Sequence, residues 1–102
     1  MRTPNWKPVN LPEQDGYTIV LSFLPEHTKP REAFSDWSDE DYKQISSMYW
    51  FTVEVQAFRD GKPEGAAYLG GNCYKSKKDA VESELSGYLT QLVREAVQES
   101  DN

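Results

Sequence analysis

The sequence holds a single cysteine, Cys73, and a single histidine, His27. One cysteine excludes an internal disulfide, so the disulfide framework of a small secreted domain is not expected. The pair also falls short of the usual zinc ligand sets, and the carboxylates lack EF-hand spacing, so neither a metal nor a cofactor is expected. No apolar run approaches the roughly 18 residues of a membrane span. Residues 1–16 carry Pro4, Pro8 and Pro12 and no hydrophobic stretch of signal-peptide type, so the expected location is cytoplasmic. Basic charge is short as well: 11 Lys and Arg against 17 Asp and Glu leave a net charge of −6. Duplex DNA and anionic membranes both call for a basic footprint, so direct nucleic-acid binding and membrane binding are disfavoured.

What remains is 102 residues, 37% hydrophobic and 13% aromatic, enough for one domain with one modest core. Residues 1–16 read as an irregular, proline-containing arm, because proline removes backbone donors and favours extended chain. Tyr17 to Leu24 reads as a strand with Tyr17, Ile19, Leu21 and Phe23 on one face, stopped by Pro25. Glu26 to Ser47 reads as two helical pieces. Pro30 opens a short one through Phe34, and Ser38 with Asp41 forms a capping box for the other, with Tyr42, Ile45 and Met48 toward the core.

Met48 to Arg59 has the clearest period of two: Tyr49, Phe51, Val53, Val55 and Ala57 alternate with Trp50, Thr52, Glu54, Gln56 and Phe58. Asp60-Gly61 signals a hairpin, and a third strand runs from about Gly65 to Tyr74. A five-residue loop, Asp60 to Glu64, is favoured over a two-residue turn. It keeps Pro63 out of the ladder and places Ala67, Leu69 and Cys73 on the Val53 face. Gly70-Gly71 marks a bulge or bend. From Ser76 to about Glu99 a helical stripe of Val81, Leu85, Tyr88, Leu89, Leu92 and Ala96 faces the core, interrupted by Gly87. The expected fold is α+β in the order β-α-β-β-α: a small, mostly antiparallel sheet of about three strands with a long C-terminal helix on one face. The domain spans residues 17–99, and residues 100–102 are expected to be disordered.

Catalytic constellations are thin. Cys73 with His27 could form a nucleophile and base, but Cys73 sits at an inward strand position where free cysteine acts as a small hydrophobe. No serine has a nucleophile-elbow context. Gly70-Gly71-Asn72 ahead of Lys75, Lys77 and Lys78 matches no phosphate-binding fingerprint, and reads as a bent strand end followed by solvated lysines. The protein is not expected to be an enzyme.

Interaction surfaces carry more. Trp50, Glu54 and Phe58 point to the second face of the sheet, with Tyr68 and Tyr74 beside them on the next strand. Two readings of this face stand: an exposed binding surface, or rings covered by the N-terminal arm with Trp6 or by the Glu32–Trp37 stretch. Residues 32–41 hold five acidic side chains and no basic one, among them Asp36, Asp39, Glu40 and Asp41. Such charge suits a partner with a basic surface, and by analogy with small phage and mobile-element inhibitors it could imitate nucleic acid. The outer face assigned to the last helix (Ser83, Ser86, Thr90, Arg94, Val97) would suit a second helix, for instance in a homodimer. The sequence therefore points to a small acidic, non-catalytic protein-binding module, an inhibitor or adaptor. Its partner-binding candidates are Trp50, Glu54, Phe58, Tyr68, Asp36, Asp39, Glu40 and Asp41. Competing readings are single-stranded nucleic-acid binding through the aromatic face, and a ligand pocket between the sheet and the final helix.

Overall fold

The computed structural model describes residues 2–33, 35–84 and 86–100. Three strands form where the alternation places them: β2 (Tyr17–Pro25), β3 (Tyr49–Arg59) and β4 (Lys62–Tyr74). A fourth, β1 (Val9–Gln14), arises inside the stretch read as an irregular arm. The sheet is antiparallel throughout in the order β1-β2-β3-β4, with four strands rather than about three. Asp15-Gly16 closes the β1–β2 hairpin with φ of 51° and 84°, matching Asp60-Gly61 at 54° and 76°. Positive φ at both central residues suits the twist of a tight hairpin, and Asp-Gly adopts it readily. Pro12 is tolerated because β1 is an edge strand whose register shifts between Leu11 and Gln14.

The β3–β4 pairing corrects the expected loop. The turn has two residues, with Arg59 opposite Lys62 and Pro63 inside the ladder opposite Phe58. A bulge then moves the register by one, so Ala67 pairs with Val55 and Leu69 with Val53, which leaves both on the inward face as expected. A second shift, at Gly70-Gly71, brings Cys73 opposite Trp50 and Tyr74 opposite Tyr49. Cys73 therefore lies on the second face and Tyr74 on the core face, the reverse of the expected assignment. Buried Asn72 holds this bulge: its side-chain amide donates to the Leu69 carbonyl at 2.6 Å and to that of Phe51 at 3.1 Å. Both carbonyls flank the register slip, and a bond from the side-chain amide satisfies them where the ladder is irregular.

Between β2 and β3 lie α1 (Pro30–Ala33) and α2 (Asp39–Gln44). Phe34 is outside the described residues. The expected capping box is present: Ser38 Oγ accepts from the Asp41 amide, and the Asp41 carboxylate accepts from the Ser38 amide. Neither helix buries a residue. Tyr42 contacts Trp37 at 5.9 Å and lies under the Arg31 guanidinium at 4.3 Å, a local cluster rather than part of the core. Ile45 and Met48 are likewise only half-buried.

The C-terminal helical run has three parts: α3 (Lys77–Asp79), a π-helical turn (Ala80–Glu84) and α4 (Ser86–Ser100). A π turn winds less per residue than an α turn, so the stripe read at uniform spacing rotates across it. Tyr88, expected in the core, is 55% exposed, and Val97, expected outside, is 4% exposed. The inward residues are Ala80, Leu92, Ala96 and Val97, flanked by Val81, Leu89 and Val93. Leu85 is outside the described residues, as are Asp101 and Asn102; Ser100 ends α4. No helix among the described residues is long and apolar enough to cross a membrane.

The core lies between α4 and the inward face of the sheet, where Ile19, Leu21, Phe51, Val53, Val55 and Ala57 are fully buried. At one end Arg59 stacks over Tyr17 at 4.0 Å. The other end is covered by residues 2–8. Trp6 packs on Phe23, Tyr49 and Phe51 at ring separations of 5.1, 4.7 and 5.3 Å. Arg2 pairs in parallel with Tyr49, its amide donating to Met48 O while its carbonyl accepts from the Trp50 amide. Lys77 ties this segment to α3, donating to the Lys7 carbonyl at 2.8 Å. Trp6 thus covers the core face and leaves the second face alone.

The rotated stripe makes a direct prediction for urea unfolding. Leu92→Ala should lose about 2–5 kcal/mol, and Val97→Ala should be clearly destabilising. Tyr88→Ala should stay within about 0.5 kcal/mol of the parent. A large loss at Tyr88 with none at Val97 would restore the uniform helix.

Candidate functional site

The sheet's second face gathers Glu54, Phe58 and Tyr68 on neighbouring strands, with Glu54 directly opposite Tyr68. Val20 and Leu24 of β2 extend it through pairing with Gln56 and Thr52. Its centre is partly open: Tyr68 is 58% exposed, and Glu54, Gln56 and Phe58 are half-buried. Glu54 is the one charged side chain of β2 and β3 that points this way. The Tyr68 hydroxyl donates to the Glu54 carboxylate. That hydrogen bond, then the Glu54 charge, raises the tyrosine pKa above its ordinary value.

Trp50 belongs to the same face but is not part of the exposed surface. It is 6% exposed, and its indole Nε1 donates to the Thr28 carbonyl at 2.8 Å. The segment after β2 covers it and is fastened by Glu26. One Glu26 oxygen accepts from the Gly71 amide at 2.6 Å, the other from the Thr28 amide at 3.4 Å. The doublet of glycines makes this approach feasible. Gly71 has φ of 71°, and a Cβ at Gly70 would stand 2.7 Å from Glu26 Oε1. Cys73, opposite Trp50, contacts Met48 through sulfur at 3.5 Å.

Beside Trp50 opens a cleft of about 470 Å³, lined by Arg2, Glu26, His27, Lys29, Arg31 and Tyr42 among others. It lies away from the sheet–helix interface where a pocket was anticipated. There, Leu11, Leu89 and Val93 line a smaller groove of about 300 Å³ between β1 and α4. His27 lines the cleft beside Trp50, and Cys73 lines a separate one with Asn72, Tyr74 and Tyr88. Among the described residues no group of three His, Cys, Asp or Glu side chains is placed to hold a metal ion.

The acidic candidates lie on α2 and the connection before it. Asp39 is paired with Arg31 at 3.0 Å, and Asp41 is occupied in the capping box. Asp36 and Glu40 are exposed. The structure therefore joins Glu54, Phe58 and Tyr68, buries Trp50 at the end of their face, and keeps the four acids on a separate element. Sequence reasoning missed Glu26 and the cations around the cleft. The glycine doublet announced a bend, but its carboxylate partner lies 45 positions away. Comparisons of the chain with protein-family models, curated proteins and solved structures found no match.

Two measurements follow. Gly70→Ala should displace the Glu26 carboxylate and speed hydrogen exchange of the Trp50 indole, with a global loss of no more than about 1–2 kcal/mol. An unchanged indole would remove the fastening role of Glu26. Tyr68 should titrate above the free value near 10 by phenolate absorbance, and Glu54→Gln should lower it. Because the folded-state pKa is raised, this contribution to stability is complete below about pH 10 and fades as pH climbs through the raised value.

Proposed function

We propose that the protein is a non-catalytic binding module whose second sheet face docks another protein, one presenting an apolar patch around a basic side chain. The observation that carries this reading is the exposed Glu54–Tyr68 pair set among Val20, Leu24 and Phe58. Aromatic rings and apolar side chains around one polar anchor have the composition of an interface centre. A partner cation would meet Glu54, whereas a phosphate backbone would be repelled by it. A second copy related by a two-fold axis through this face would set Glu54 against its own equivalent, which favours a different partner over a homodimer. Strand addition at the edges is a poorer route. Pro12 and a register shift interrupt β1, and Pro63 with two bulges interrupts β4.

Imitation of nucleic-acid charge draws less support. Of the acids in residues 32–41, Asp39 is neutralised by Arg31, Asp41 caps α2, and Glu32 accepts from the Lys29 amide. Acidity here serves the local turn structure and adds long-range attraction for a basic partner.

A photoreactive phenylalanine derivative at position 68, compared with one at 88, tests the assignment, since both tyrosines are exposed on different elements. Crosslinking in host lysate to one basic-surfaced protein is expected at 68 and not at 88. Phe58→Ala or Glu54→Lys should weaken that complex by about tenfold or more. Equal labelling at both positions, or a complex indifferent to both substitutions, would defeat it.

A further inference from the structure

The cleft beside Trp50 has a sign of charge opposite to that of the whole chain. Three cations line it, Arg2, Lys29 and Arg31, against a single carboxylate, Glu26. Both Glu26 oxygens are already bonded to backbone amides. Counting the Arg31–Asp39 pair still leaves an excess positive charge on a protein of net −6.

The two arginines are held in place. Arg2 is fixed by its backbone pairing with β3, stacks over Tyr49 at 4.3 Å, and donates one side-chain bond to Ser47 O. Arg31 lies over the Tyr42 ring and donates to Asp39. A guanidinium has five N–H donors, so each retains donors for an anion. The Lys29 ammonium has no ion-pair partner among the described residues. Between these groups the wall is apolar, formed by Trp50, Pro30 and Tyr42.

We infer that this cleft binds a small organic anion, a carboxylate or phosphate monoester carried on an apolar or aromatic body. The oxyanion meets Lys29 and the two guanidiniums, and the body lies against the Trp50–Pro30–Tyr42 wall. The volume of about 470 Å³ is that of a small-molecule site. The two arginines, each already anchored by a ring and a hydrogen bond or ion pair, lose less freedom on binding than mobile surface side chains do. This inference does not rest on the docking face: apart from Trp50 of β3, which is buried outside the exposed surface, its residues come from the N-terminal segment and the β2–β3 connection.

The test is titration of the full chain with adenosine 5′-monophosphate and, separately, 1-naphthoate, followed by amide and indole N–H resonances. Shifts centred on Trp50, Lys29 and His27 are expected, with Lys29→Glu weakening binding at least tenfold. Adenosine, which lacks the anion, should bind at least tenfold less tightly than its monophosphate. The tighter of the two anions separates a phosphate from a carboxylate site. Lys29 is exposed and its ammonium has no hydrogen-bond or ion-pair partner among the described residues, so Lys29→Glu should leave resonances outside the cleft in place; Arg31→Gln gives a second reading of the same loss. No shift at the cleft with either anion at millimolar concentration, or equal affinity in both variants, overturns the inference.

Discussion

The inward face of β3 must be kept dry along its whole length, and no single element is long enough to do it. Eleven residues of strand extend about 36 Å, whereas the fifteen residues of α4 reach about 22 Å and pack against both β3 and β4. The remaining end, with Phe23, Tyr49, Phe51 and Tyr74, is covered by Trp6 and the segment around it. Arg2 pairs beside Tyr49, just beyond the point where β2 ends opposite Phe51. The two covers are joined through Lys77 and the Lys7 carbonyl. Burial of one strand thus dictates the placement of both termini of the described fold.

With both covers on one side, the other face of the sheet is left to the β2–β3 connection, which reaches only as far as Trp50. The Glu26 bond to Gly71 defines that limit. On one side of it lies the cationic cleft, and on the other the nearly uncharged surface around Glu54 and Tyr68. Two neighbouring regions of different electrostatic character therefore result from one short connection being fastened at one place.

Period-two alternation made β2 and β3 readable, and Ser38 with Asp41 revealed the start of α2. The features that escaped depend on partners distant in sequence or on local geometry that residue type underdetermines. β1 was hidden by Pro12, although Asp15-Gly16 is the same turn signal that disclosed Asp60-Gly61. Avoiding Pro63 in the ladder led to the wrong loop but the right face for Ala67 and Leu69, because an unforeseen bulge restored the phase. The slip at Gly70-Gly71 was visible, yet its consequence for Cys73 and Tyr74 was not carried along the strand. The π turn had no residue signature, and beyond it α4 turns Leu89, Leu92, Val93, Ala96 and Val97 inward and leaves Tyr88 exposed. Of the candidate site, Glu54, Phe58 and Tyr68 were legible from alternation. Trp50 was not, because its cover comes from a connection with no period of its own.

The strand order has a kinetic meaning. Each two-residue Asp-Gly turn joins strands adjacent in sequence, so β1–β2 and β3–β4 can zip locally with little loop-closure entropy. Pairing β2 with β3 must span the two short helices, and seating Trp6 on Phe51 closes a still longer loop. Folding should thus proceed from two independent hairpins to a joined sheet, with the tryptophan cover among the last contacts made and the first released.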